Sequence, residues 1–103
     1  MRGKMIVIHP SGKVDVTEYR SEPPLKDLKE AVGGHIESVP GWTSTGDVPC
    51  WVICNEEGKM EGLEVNLYAQ FMWLKAAPEY APHDMLCGPV AILSGDDAFM
   101  ECL

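Results

Sequence analysis

The start of the chain has the pattern of two strands joined by a turn. Lys4–His9 is short, apolar and rich in β-branched residues. Lys13–Tyr19 alternates between apolar and polar positions, with Val14 and Val16 on one face. Residues 10–12 (PSG) lie between the two segments and have the composition of a turn. The pattern predicts a β-hairpin.

The next segment has the periodicity of a short amphipathic helix. Leu25, Leu28 and Val32 fall at positions i, i+3 and i+7, so they share one helical face. Pro24 suits the first turn of such a helix, and the glycine pair at 33–34 supplies a left-handed stop. The sequence therefore predicts a helix over 25–32.

Two further strands are predicted in the middle of the chain. His35–Val39 alternates, whereas Pro49–Cys54 is apolar on both sides and is typical of a central, buried strand. Trp42–Asp47, between them, reads as a polar loop that carries a tryptophan. Asn55–Lys59 has turn chemistry and leads to a brief predicted strand at Met60–Leu63.

A second helix is predicted over Leu67–Ala77, with Asn66 as its cap and Pro78 preventing its continuation. This helix is apolar around nearly its whole circumference, so it must be covered on most sides. Its cover is either the core of its own domain or another chain. In the second case the oligomer or partner surface would be formed by Tyr68, Met72 and Trp73, residue types that are enriched in interfaces.

The last predicted strand, Met85–Leu93, is interrupted by Gly88-Pro89, which predicts an edge strand or a bulge. Ala98–Leu103 reads as a short tail. Because the strands are grouped rather than regularly alternating with helices, we expect an α+β fold with a mainly antiparallel sheet and two helices. We expect residues 1–103 to form one domain.

Composition limits the possible functions. A chain of 103 residues that is 46% apolar suits one small globular domain and excludes multidomain enzymes. No apolar run approaches the roughly 20 residues that cross a bilayer, and the N-terminus lacks the pattern of a cleavable signal. We therefore expect a cytoplasmic protein without membrane contact.

The charge is divided unevenly along the chain. Residues 1–29 hold six bases and four acids, whereas residues 30–103 hold two bases and twelve acids, a local balance of −10 within a net charge of −8. Such a surface repels phosphate backbones, so direct nucleic-acid binding is not expected. The charge either maintains solubility or attracts a basic partner.

The residues most often used in catalysis and metal binding form no local constellation. Cys50 and Cys54 would lie about 13 Å apart along a strand, too far to bridge each other or to grip one metal ion. Cys87, Cys102 and the three histidines are scattered, and we expect free thiols, no metal site and no cofactor. The glutamates around residues 56–64 flank a turn, which favours a solvated acidic patch over a catalytic carboxylate pair.

The middle of the chain resembles a small family of bacteriophages and mobile elements, Domain of Unknown Function 3846. The resemblance lies in Leu28–Val39 with its Gly-Gly-His-Ile-Glu, in Ile53–Lys59 with its Asn-Glu-Glu-Gly-Lys, in residues 62–63, and in Asn66 and Gly88. It spans roughly residues 5 to 93. The resemblance implies that the protein is encoded by a phage or by mobile DNA. It does not identify any catalytic residue.

Two hypotheses follow for function. The first is a non-enzymatic inhibitor of a host defence nuclease, of the anti-CRISPR or antirestriction kind, that docks acidic side chains on a basic, nucleic-acid-binding protein. Its predicted contacts are six glutamates with two tryptophans as apolar anchors: Glu30, Glu37, Glu56, Glu57, Glu61, Glu64, Trp42 and Trp73. The second is an oligomeric binder that sequesters a signalling nucleotide, for which the bases of the first third would have to converge: Lys4, Lys13, Arg20, Lys26 and Lys29.

Overall fold

The structure is a computed structural model that describes all of residues 1–103. It contains seven strands, three α-helices and one short 3₁₀ helix. In chain order they are β1 (Gly3–Ile8), β2 (Val14–Tyr19), α1 (Leu25–Val32), β3 (Ile36–Ser38), β4 (Ser44–Thr45), β5 (Val48–Pro49), β6 (Trp51–Asn55), α2 (Leu67–Ala76), the 3₁₀ helix (Ala81–His83), β7 (Val90–Gly95) and α3 (Asp97–Glu101).

Five strands form one sheet in the order β2-β1-β7-β6-β3, and every neighbouring pair is antiparallel. β1 and β2 form the predicted hairpin, in which Ile6 pairs with Val16. The two sheet edges are β2, with six residues, and β3, with three. β4 and β5 make a separate small hairpin. The predicted α+β fold is confirmed.

The alternation of side chains along the strands divides the core into two halves. On one face of the sheet, Ile8, Val52 and Ile92 pack with α2, whose buried residues include Trp73. On the other face, Val7, Ile53 and Leu93 pack with Val32 of α1 and Phe99 of α3. The sheet is therefore a middle layer between helices, because both of its faces are apolar and need cover.

α2 is anchored to the sheet by a buried asparagine. Asn66 has 0% exposure, and its side-chain oxygen accepts a hydrogen bond from the Ala69 N–H at 3.0 Å, as the sequence predicted for a cap. Its amide nitrogen donates to the carbonyls of Ile8 (2.8 Å) and Gly88 (2.9 Å). One side chain thus joins the start of α2 to β1 and to the segment that precedes β7.

Four predictions about secondary structure are wrong. Residues 44–45, inside the expected polar loop, form β4, which pairs with β5. Most of the expected tail, residues 98–103, belongs to α3 (Asp97–Glu101), which Asp96 caps by accepting from the Phe99 N–H. Residues 60–63 form no strand, since the N–H groups of Gly62 and Leu63 bond within their own loop. The last strand begins only after Pro89 and lies in the middle of the sheet, so it is no edge strand.

Nothing among the helices has the length and apolar character that a membrane span requires.

Candidate functional site

Five of the six predicted glutamates lie in one region of the surface, where β3, the end of β6 and the end of α1 meet. We call this region the acidic corner. All five side chains are exposed: Glu30, Glu37, Glu56, Glu57 and Glu61. Glu64 is also exposed but lines a different groove, beside Pro10 and Tyr68. The sixth glutamate is therefore separate from the cluster.

Asn55 holds the turn of the acidic corner. It is 6% exposed, and its side-chain oxygen accepts from the Glu57 N–H at 2.8 Å, closing a local turn. Its amide nitrogen donates to the Val32 carbonyl at 3.2 Å and to Glu61 Oε1 at 3.0 Å. The same side chain therefore fixes the turn, positions one carboxylate and binds the turn to the end of α1.

Backbone contacts place Glu56 and Glu37 beside this turn, and Glu30 lines a surface depression that it shares with His35. The Glu56 N–H donates to the His35 carbonyl at 2.9 Å, and Glu37 lies opposite Cys54 across the β3–β6 pair. Position 58 has no room for a side chain, because a Cβ there would lie 2.8 Å from the Cys87 carbonyl oxygen. The turn is therefore pressed against the rest of the fold, and its carboxylates project from a well-supported backbone.

A cavity of about 180 Å³ lies beside the acidic corner. Its wall includes Glu37, Cys54 and Lys59, and Lys59 forms an ion pair with Asp84. The cavity is smaller than the roughly 300 Å³ at which pockets for small-molecule ligands begin. Burial, with a smaller contribution from Glu37, raises the pKa of Cys54 to about 11. This thiol is protonated at neutral pH, which makes it a poorer nucleophile than an ordinary cysteine.

The structure corrects the assignment of the two tryptophans as surface anchors. Trp42 is 2% exposed and Trp73 is 1% exposed, and both belong to the core between the sheet and α2. The Trp73 indole N–H donates to the Pro40 carbonyl at 2.8 Å, and that of Trp42 donates to Thr45 Oγ1 at 3.3 Å. Neither ring is free to contact a partner, and Trp73 is likewise wrong as an oligomer contact.

α2 is covered by the core on one side and open on the other. Ala69, Gln70 and Trp73 are buried, whereas Tyr68 is 56% and Phe71 64% exposed. Met72, the other predicted oligomer contact, is half-buried. The sequence missed Phe71 as a surface residue because a helix that is apolar all round has no periodicity to show which side faces the sheet.

Gln70 has a structural role that the sequence did not reveal. Its side-chain oxygen accepts from the Leu86 N–H at 2.8 Å, and its amide nitrogen donates to the carbonyls of Ala81 and Asp84. The residue satisfies the backbone of the segment between α2 and β7, which also lines the cavity beside the acidic corner. Its buried polar group therefore needs no ligand to explain it.

The bases of the first third do not converge on a pocket. Lys4 lies opposite Glu18 in the β1–β2 pair, and Lys26 lies 3.9 Å from Glu30 on the surface of α1. Among the five, only Lys29 lines one of the main surface depressions, which it shares with Glu30 and His35. This arrangement gives no support to a nucleotide site built from these bases.

The model of a family described as a domain of unknown function, DUF3846, matches residues 1–101. The chain belongs to the DUF3846 family. No curated protein and no solved structure matches it. The DUF3846 match covers the acidic corner, both helical layers and the whole sheet.

Most residues that carried the resemblance to DUF3846 support the backbone. Asn55 and Asn66 make the buried contacts described above. A Cβ on Gly34 would lie 2.9 Å from the Asn55 amide nitrogen, and Gly88 has a φ of 83°. In the two motifs the glutamates point to solvent, as do His35 and Lys59. The motifs therefore specify the fold, and their carboxylates are the part that is free to act on another molecule.

Proposed function

We propose that this DUF3846 protein is a non-enzymatic, protein-binding inhibitor whose acidic corner docks on a basic, nucleic-acid-binding surface. The observation that carries the proposal is the collection of five exposed carboxylates on one supported corner of the fold. A basic surface that normally holds phosphates offers lysine and arginine side chains, and carboxylates are complementary to these.

Rigidity supports this use of the acidic corner. The Asn55 turn fixes the backbone of Glu56 and Glu57 before any partner arrives. A preorganised surface loses less conformational entropy on binding than a flexible acidic tail would. Glu37 extends the charged surface along β3, which is an exposed edge.

The overall charge favours the same mode of binding. The net charge of −8 attracts a basic partner over a distance of about 8–10 Å at physiological ionic strength and raises the association rate. Within the cavity wall the one nearby base, Lys59, is engaged by Asp84. It therefore offers little opposition to the carboxylates around it.

The setting of the proposal comes from the family. The resemblance to phage and mobile-element proteins favours a target among bacterial defence nucleases, in an anti-CRISPR or antirestriction role, within the cytoplasm of the bacterial host. Such a protein needs an exposed recognition surface and no catalytic centre. The protonated thiol of Cys54 and the small adjoining cavity agree with surface recognition.

Charge reversal at the acidic corner tests the proposal. The variant Glu37→Lys, Glu56→Lys and Glu57→Lys changes three side chains that make no hydrogen bond of their own. We expect the wild-type protein to protect a targeted plasmid from a defence nuclease in bacteria, and the variant to lose that protection. In binding assays with the purified nuclease, we expect wild-type affinity to fall steeply with salt.

A matched control variant distinguishes the effect of where the charges are reversed from the effect of the change in net charge. Glu22, Asp47 and Glu79 are exposed acids outside the acidic corner, and reversing all three to lysine changes the net charge by the same amount. We expect this control to protect the plasmid like the wild type. Equal protection by the corner variant, or failure of the wild type to inhibit any CRISPR or restriction nuclease in a panel, would refute the proposal.

A further inference from the structure

β2 leaves one side of its backbone without hydrogen-bond partners. In the hairpin the His9 N–H donates to the Lys13 carbonyl at 2.9 Å, which fixes which residues of β2 bond to β1. Because the bonding alternates along an antiparallel pair, the N–H and C=O groups of Val14, Val16 and Glu18 point away from β1. No other backbone or side chain bonds to them.

This edge carries two charged side chains, Asp15 and Glu18, but it lacks the other features that usually protect an exposed strand. All six residues of β2 pair in register with β1, without a bulge, and none is proline. On the face that α2 shares, Val14 is 53% and Val16 is 59% exposed. The opposite edge, β3, has only three residues, and a short edge offers little to an added strand.

We propose that a second copy of this chain pairs with β2 in antiparallel orientation about a two-fold axis at Val16. The two five-stranded sheets then continue as one sheet of ten strands. The three residues with outward groups are centred on Val16, so two copies satisfy each other's groups completely. Val16 exchanges both hydrogen bonds with the partner's Val16, and Val14 does so with the partner's Glu18.

The charged residues of β2 favour this register over those with the two-fold axis at an adjacent residue. With the axis at Val16, Asp15 lies opposite the partner's Thr17 and no like charges face each other. An axis at Asp15 would set two aspartates directly opposite, which is destabilising. An axis at Thr17 would pair Val14 with a residue beyond the end of the partner's β2. With the axis at Val16, the side chains of Val14 and Val16 from both copies lie on one face of the seam.

The size of the seam sets the strength expected of the dimer. Stable complexes usually bury more than about 1,000 Å². The proposed seam consists of one strand pair, with six backbone hydrogen bonds and one row of valines, so it is a small interface. The exposed ring of Tyr68 lies against Gly12, in the turn that precedes β2. We therefore expect a reversible, concentration-dependent dimer.

The dimer is independent of the function proposed above. β2 and β3 are opposite edges of the sheet, so pairing through β2 leaves both acidic corners free at the two ends of the extended sheet. A protein with two identical acidic corners could contact two basic surfaces at once, which strengthens binding without new contacts. Either proposal can fail without the other.

Sedimentation velocity of the wild-type protein over a wide concentration range is the first test. We expect reversible association from the 11.3 kDa monomer to twice that mass. Amide hydrogen exchange gives the register: the N–H groups of Val14, Val16 and Glu18 should gain protection as concentration rises, while those of Asp15 and Thr17 are protected throughout. A monomer at millimolar concentration, or no concentration-dependent protection in β2, would overturn the proposal.

Two substitutions at Val16 distinguish the contribution of the backbone N–H to dimerisation from that of the side chain. Val16→Pro removes the outward N–H, which has no partner within the chain, and should weaken dimerisation by about tenfold or more. Val16→Thr keeps that N–H and should weaken it less. Both variants should fold, because an exposed edge position tolerates proline. A dimer that survives Val16→Pro but is lost on Phe71→Ser would assign association to α2 instead, against the proposal.

Discussion

Replacing Asn66 by alanine tests how α2 is attached to the sheet. The substitution removes one capping contact, to the Ala69 N–H, and two buried donations, to the carbonyls of Ile8 and Gly88. A helix cap contributes about 1 kcal/mol, and each net hydrogen bond contributes about 1 kcal/mol. We therefore expect Asn66→Ala to lower the free energy of unfolding by about 3 kcal/mol, a large share of the stability of a domain of this size.

Urea denaturation followed by tryptophan fluorescence and far-UV circular dichroism measures this loss. With a slope of about 1.5 kcal/mol per molar urea, 3 kcal/mol corresponds to a midpoint lower by about 2 M. Trp42 and Trp73 lie in the core beneath α2, so their emission reports on the same half of the protein. Both probes should give one coincident transition.

Two further variants separate capping from the buried donations. Asn66→Asp keeps the capping oxygen but cannot donate to the two carbonyls, so it should be at least as unstable as Asn66→Ala. Asp96→Ala removes an exposed cap, that of α3, and should cost less. The reasoning would be refuted if Asn66→Asp unfolded near the wild-type midpoint, or if Asn66→Ala lowered it by less than about 0.5 M.

Three other predictions follow from single contacts. Hydrogen bonds from the Phe99 N–H and other donors hold the pKa of Asp96 below its ordinary 3.8, so its stabilisation is present above that value and lost as pH falls through the lower, folded-state pKa. The acid-induced drop in urea midpoint should be smaller in Asp96→Ala. Gly58→Ala should lose at least about 1 kcal/mol, measured by urea unfolding, because the new Cβ would press on the Cys87 carbonyl. Cys54, whose pKa is raised from 9.0 to about 11, should be alkylated at least about tenfold more slowly at neutral pH than an unperturbed thiol, and rapid labelling seen by peptide mass spectrometry would contradict this.

Local signals in the sequence were sufficient for α1 and for the first hairpin. α1 runs over Leu25–Val32 as its periodicity predicted, and Gly33 ends it with a φ of 80°. α3 was missed because five residues are too few to show a helical period. A signal was nevertheless present, since Asp96 stands at its start and accepts a bond from the third residue of the helix.

Long-range placement accounts for the errors at the candidate site. The sequence correctly indicated that Glu56 and Glu57 flank a turn, but it could not show that β3 and the end of α1 lie beside this turn. The tryptophans were misplaced for a similar reason. Trp73 lies on a helix without a polar face, so only its packing against the sheet shows that it is buried.

Some DUF3846 motif residues support the backbone and others are exposed, and this difference explains why family membership alone does not specify a partner. Asn55, Asn66 and Gly58 contact backbone groups that are distant in sequence, so their contribution is to the fold. The recognition surfaces proposed above consist of exposed side chains and one free strand edge, and neither requires those motif residues to touch a partner. Substituting the glutamates of the acidic corner should therefore change what the protein binds while the sheet and its helices remain intact, because among these glutamates only Glu61 has a side chain that forms a hydrogen bond with a buried residue, Asn55.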